Sequence, residues 1–127
     1  MPEITVLYAG LLGIVSMVLS GLCGAQRGKT GVSIGDGGNE QMMLAMRRHG
    51  NFVEHVPIVL IIIALLEMNA VSNTAIHILG GGLVFCRVAH ASGLQAGKGA
   101  TPGRIIGAAG TLLITAVSSV WAVVVFF

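Results

Sequence analysis

The sequence predicts an all-α protein, a four-helix bundle that lives in a membrane. Three observations carry that expectation. Of 127 residues, 54% are hydrophobic and 9% charged, where a soluble domain has roughly 25% charged. A mean hydropathy of +0.89 leaves no polar surface to show water, so the expected solvent is a bilayer. Apolar runs approach the ~20 residues of a spanning helix and show no strand-like alternation. Lipid admits only helices or closed barrels as spanning structures.

The elements follow in order. Ile4 to Gln26 is free of charge, which predicts helix one over 4–26. Its start, "MPEITVLYAG", is acidic where a secretory signal would be basic, so no cleaved leader is expected. Glu40 to Glu67 is apolar in its second half and predicts helix two over 40–67, with Pro57 a kink inside it rather than its end. "VSNTAIHI" offers Ser72 or Asn73 as a cap, and helix three is expected over 73–92. "GATPGRIIG" places Pro102 at the start of helix four, over 103–127. Together these make one domain, 1–127. Gly10/Gly13, Gly21/Gly24, Gly107/Gly110 and the glycines at 80–82 are spaced for close helix contacts. Cys23 and Cys86 sit singly in apolar runs and are read as packing residues, with no metal site expected.

The loops set the orientation. All seven Lys and Arg residues (Arg27, Lys29, Arg47, Arg48, Arg87, Lys98, Arg104) lie towards the two long Gly-rich loops, and Glu3 and Glu67 towards the opposite ends. The positive-inside rule then puts both termini outside and both long loops in the cytoplasm.

Depth turns the charges into a cluster. Helix two would be roughly 40 Å long against about 30 Å of hydrocarbon, so it must project from the membrane. With Glu67 at the outer interface, Glu54 lies about 20 Å inward, and Arg87, measured from Ser72, about 22 Å. Arg104 begins helix four at a comparable level. Arg47, Asn51, Glu54 and His55 share one helix face, and Arg87 and His90 are three apart. Charges at that depth face a bundle interior or a polar cavity, and pair. Cations exceed the one acid of the cluster, Glu54, and the excess asks for an anion. Blander readings stand beside this one. Arg48 and Lys98 read as solvated flanks or lipid-headgroup contacts, Arg87 with Glu54 as a structural interhelical pair, and His77 as incidental.

These residues resemble the signature of a known family. "RRHGNFVEHVP" is similar to the helix-two motif of the MAPEG family, the membrane-associated proteins in eicosanoid and glutathione metabolism. There an Arg precedes an Asn-x-x-Glu segment and a Pro, here Arg47, Asn51, Glu54 and Pro57. "RVAH" at 87–90 resembles the helix-three motif of the microsomal prostaglandin E synthase branch. Arg104 stands where the family's enzymes place a thiol-activating Arg, and "GAQR", ending at Arg27, resembles the close of helix one.

The resemblance implies a homotrimer of four-helix subunits in a bacterial inner membrane, with glutathione bound between neighbours near the cytoplasmic face. Arg47 and a neighbour's Arg27 would take its carboxylates, Asn51 its peptide and Glu54 its ammonium. Arg87 and His90 would complete the site, and Arg104 would hold the thiolate. A guanidinium stays charged at any working pH and a nearby cation lowers a thiol pKa. The expected activity is a glutathione transferase acting on hydrophobic small molecules or lipids, with peroxidase activity beside it, and so a role in detoxification. Membrane lipids are the expected surroundings and no nucleic-acid partner is expected.

Two positions depart from the pattern. Leu94 stands where the family's enzymes carry Tyr, and Ile105 where prostaglandin E synthase has Ser. Prostaglandin or leukotriene synthesis is therefore not expected, and a non-catalytic MAPEG protein that binds lipid or a partner stays open. A small multidrug-type transporter would need an acid in helix one, and none occurs between Glu3 and Asp36.

Overall fold

The computed structural model describes residues 1–127. It contains four helices, α1 (Glu3–Thr30), α2 (Glu40–Met68), α3 (Asn73–Gly93) and α4 (Pro102–Phe126). Each is long and apolar enough to cross a membrane. They alternate in direction, so the chain termini and the short α2–α3 connection share one end, the terminal end. The two long loops share the other, the loop end. α2 and α3 are central. α1 packs on both of them, α4 packs on both of them, and α1 and α4 do not touch.

The caps explain the boundaries. Asn39 accepts from Met42 N at 3.0 Å to open α2, and Ser72 accepts from Ala75 N at 3.4 Å to open α3. Thr101 accepts from Arg104 N at 3.4 Å to open α4, with Pro102 as its first residue. α1 runs four residues past the expected Gln26. Arg27 and Lys29 in its last turn suit the negative end of the helix dipole. Gly31, in the left-handed conformation at φ 69°, stops it. Pro57 sits within α2 and does not end it.

Pro2, at the capping position before α1, offers no side-chain cap. Glu67 of α2 supplies one. Its carboxylate accepts from Ile4 N at 2.7 Å, Thr5 N at 2.8 Å and Thr5 Oγ1 at 2.6 Å. The first-turn N–H groups that a helix leaves unpaired are thereby satisfied across the bundle.

The core is a heptad seam. Phe52, Val56, Val59, Ile63 and Leu66 of α2 meet Ile76, Leu79 and Leu83 of α3, and Leu12 and Leu19 of α1 join them. Only 23 of the 127 residues are buried, so this core would not hold a soluble fold. Ile14, Met17, Ile61, Ile78, Leu113 and Val123 are all more than half exposed, as residues facing lipid are. Three hydroxyls of α4 are satisfied within the helix. Thr111, Thr115 and Ser118 each donate to the carbonyl four residues back, at 2.7–2.8 Å.

α3 and α4 approach backbone to backbone. A side chain at Gly107 would strike Cys86 and His90, one at Gly110 would strike the Cys86 sulfur, and one at Gly93 would strike the Arg104 backbone. This is the close contact expected of Gly107/Gly110. Gly80 lies under the Tyr8 ring in the same way. Gly10, Gly13, Gly21 and Gly24 behave differently: a side chain at any of them would meet nothing within the chain.

Candidate functional site

The apolar seam of α3 changes character towards the loop end. Its register Ile76, Leu79, Leu83 continues as Cys86 and His90, with Arg87 beside them, all buried. Arg87 is 2% exposed. Its Nη2 donates to Gly107 O of α4 at 2.9 Å and its Nη1 to Asn51 O of α2 at 3.4 Å. One guanidinium therefore ties three helices together through carbonyl oxygens. The Arg87–Glu54 pair that depth and spacing offered does not form. Carbonyls on the two neighbouring helices were nearer acceptors, and Glu54 is exposed on its own face of α2.

Asn51 O also accepts from His55 Nδ1 at 2.9 Å. A carbonyl can only accept, so Nδ1 carries a proton in this contact. His90 packs against Gly107, behind the Arg87 contact. The side chains of Asn51 and Glu54 make no hydrogen bond or ion pair within the chain.

Below this layer a polar concavity of about 340 Å³ opens at the loop end. Arg47, Arg104 and Lys98 line it with Glu40, Gln95 and Leu94. Arg47 and Arg104 were both expected in the site. Lys98, read from the sequence as a solvated flank, lines it too, because the α3–α4 connection folds back over α2. Glu40 holds that fold by accepting from Gly97 N at 3.0 Å. Glu40 is a second acid, beyond Glu54, that sequence reasoning missed. The signal was present: Glu40, Met43, Leu44 and Arg47 recur at i, i+3, i+4 and i+7, and all four line the pocket. Asn51 and Glu54 continue the same stripe.

The electrostatics of the concavity favour anions. It lies at the N-terminus of α4, the positive end of that helix dipole, and adds three cationic side chains to it. The opposing negative end, the C-terminus of α3, is already capped. Gly93 O accepts from Thr101 Oγ1 at 2.6 Å, and Leu94 O accepts from the Arg48 guanidinium. Arg48 is thus a cap on α3, not a free flank.

Arg27 lies elsewhere. Its Nη1 donates to Val32 O, Ser33 O and Gly35 O at 3.0–3.3 Å and folds its own loop. Within one chain it does not meet Arg47 or Arg104. His77, read as incidental, pairs at 2.8 Å with the hydroxyl of Tyr8 at the terminal end.

The fold and site define a class: a membrane four-helix bundle with a cationic, anion-seeking pocket where α2, the α3–α4 connection and the start of α4 meet. The model of the MAPEG family matches residues 5–124, and the chain belongs to that family. It is 34% identical over 92 residues to inner membrane protein YecN of Escherichia coli strain K12, covering 72% of this chain and 70% of the relative. YecN of Escherichia coli O6:H1 strain CFT073 matches to the same extent. No solved structure matches the chain.

Proposed function

We propose that the protein is a glutathione-dependent transferase of a bacterial inner membrane, with both termini outside and the long loops in the cytoplasm. The observation that carries this reading is the convergence of Arg47, Lys98 and Arg104 with Glu40 on one concavity. Glutathione as thiolate carries two carboxylates and one sulfur anion against one ammonium. The pocket offers three cations against one carboxylate. Arg104, at the positive end of α4, is the group that would hold the sulfur as thiolate. The thiol proton leaves to solvent. The thiolate forms the new S–C bond, and the leaving group departs with the bonding pair. A lipid hydroperoxide meeting the same thiolate would be reduced to its alcohol as the sulfur takes the terminal oxygen to become a sulfenic acid, which a second glutathione converts to the disulfide with release of water; this is the accompanying peroxidase reading.

Assembly as a homotrimer belongs to the same proposal, with glutathione between neighbours. An unpaired Glu54 on a lipid-level helix face is costly, which supports a neighbouring chain supplying its partner, here the ammonium of bound glutathione. The open glycines of α1 suit a second helix against them. Arg27 makes no hydrogen bond through Nη2, and across that contact it would reach a neighbour's glutathione carboxylate. Asn51 would take the peptide, with Arg87 and His90 as the buried backing of the site.

One observation favours a second reading. Leu94 lines the pocket where a hydroxyl would assist, which suits a non-catalytic protein binding an anionic lipid or partner. Thiolate difference absorbance in the ultraviolet, titrated with glutathione at neutral pH, separates the two. A saturable thiolate signal lost in Arg104→Ala is the expected result. Binding without thiolate would favour the second reading, and no binding would overturn the glutathione assignment.

A further inference from the structure

Four apolar hollows lie on the surface of the bundle; the one between the ends of α2 and α4, lined by Leu65, Leu66, Ala122, Val125 and Phe126 with Asn69, carries no charge, and one of the other three ends on a cation. The groove between α1 and α3, about 410 Å³, is walled by Ile14, Val18 and Leu22 on one side and Val88 and Ala91 on the other, with Arg48 from α2 in its lining. The groove along α4, lined by Ala116, Val117, Val120, Trp121 and Val124, has no charged residue. The groove between α1 and α2 near Pro57 has none either. We infer that the α1–α3 groove holds one acyl chain of an anionic phospholipid, with Arg48 gripping its headgroup.

The apolar part fits a chain. Ile14, Val18 and Leu22 recur every fourth residue and are 61%, 55% and 52% exposed, so nothing within one chain covers them. They span about 12 Å along α1, less than half of the ~30 Å hydrocarbon core. The stretch lies in the half of α1 that leads to Arg27, so its polar end reaches the headgroup level at the loop end.

The charge argument selects an anionic lipid over a neutral one. The Arg48 guanidinium donates through Nη2 to Leu94 O. Its Nε is buried with no acceptor, Nη1 makes no hydrogen bond, and no carboxylate pairs with it. Only a carbonyl dipole faces this positive charge. Ser92, the other polar residue of the groove, has its hydroxyl committed to Val88 O at 2.9 Å and Ala89 O at 3.1 Å. A guanidinium left without a counter-charge at a membrane edge is favourably neutralised by phosphate, which it can hold with two parallel hydrogen bonds. A chain seated between α1 and α3 brings its headgroup to that point. The three uncharged hollows give ordinary boundary lipid no such preference.

The test is lipid retention by the delipidated protein in native mass spectrometry, titrated with phosphatidylglycerol and, separately, phosphatidylcholine. One phosphatidylglycerol per chain is expected, preferred about tenfold because its phosphate has no choline ammonium beside it to offset the attraction to the guanidinium. Arg48→Gln is expected to abolish the preference. Val18→Trp fills the groove at an already exposed position and leaves the Arg48–Leu94 contact intact. It is expected to lower phosphatidylglycerol retention, and it carries the test alone if Arg48→Gln does not fold. Free sn-glycerol 3-phosphate, a headgroup without chains, is expected not to compete. Equal retention of the two lipids, unchanged retention by Val18→Trp, a preference that survives Arg48→Gln, or full competition by glycerol phosphate would each overturn the inference. The last would mark a free-anion site with no use for the groove.

Discussion

The two ends of the bundle both carry polar side chains and end in opposite states. At the terminal end the polar groups satisfy one another. Glu67 closes on three donors of α1, and Tyr8 closes on His77 with the two rings edge to face, 5.8 Å between centroids. At the loop end the cations outnumber their partners. Arg87 and Arg48 are held by carbonyls alone, and Arg47, Lys98 and Arg104 open onto a pocket with Glu40. A saturated polar cluster fixes geometry. An unsaturated one of a single sign binds what is missing. Polar side chains therefore close on one another at one end and stay open at the other, and the difference lies in the count of acceptors.

That contrast can be broken from either side. The largest effect is expected from Arg87→Ala, which removes two charge-assisted hydrogen bonds and opens a cavity where three helices meet. The loss should be about 3 kcal/mol or more, read by denaturant titration in detergent. Arg87→Met, which keeps the volume, should recover part of it. Next is Arg104→Ala. Its cost should fall on thiolate formation and turnover, about 10²–10³-fold, while thermal stability stays within about 0.5 kcal/mol. A stability loss as large as that of Arg87→Ala would show that Arg104 is a structural residue.

Glu67→Ala should show the reverse pattern. It uncaps α1 and should cost about 1–2 kcal/mol, with glutathione affinity unchanged. A change in affinity would mean that the two ends are coupled. The smallest effect is expected of Tyr8→Phe, which removes the hydrogen bond to His77 and keeps the ring over Gly80. About 0.5–1.5 kcal/mol in the same titration, with no change in turnover, would place Tyr8 among the structural groups. Lost turnover would make it the hydroxyl that Leu94 does not provide.

Much of the architecture was legible before folding was considered. The four helices follow from apolar run length, because hydrocarbon thickness and helical rise fix how many residues must be apolar. Ser72, Pro102 and the stripe of Arg47, Asn51 and Glu54 were legible for an equally local reason, since capping and helical period act over a few residues. The end of α1 was misplaced because charge was taken as the limit of the helix, when it is only the limit of the hydrocarbon. Lys98 and Arg48 were read as solvated flanks or lipid-headgroup contacts from the positive-inside rule, which says nothing of the acceptor or pocket that a long side chain finds once the helices pack.

What the sequence determined by itself is therefore everything set by transfer free energy and local period: an all-helical chain, its solvent, its helix count, and a cationic surplus at the loop end. Only the tertiary structure decided which donor meets which acceptor. Glu67 finds Thr5 across 62 residues, Glu40 finds Gly97 across 57, and Arg87 finds Gly107 across 20. Helix packing brings these partners together. In a low-dielectric interior an unmade hydrogen bond costs more than the choice of acceptor, so each charge takes the nearest carbonyl or hydroxyl that the packing presents. The cations left over at Arg47, Lys98 and Arg104 form the candidate site.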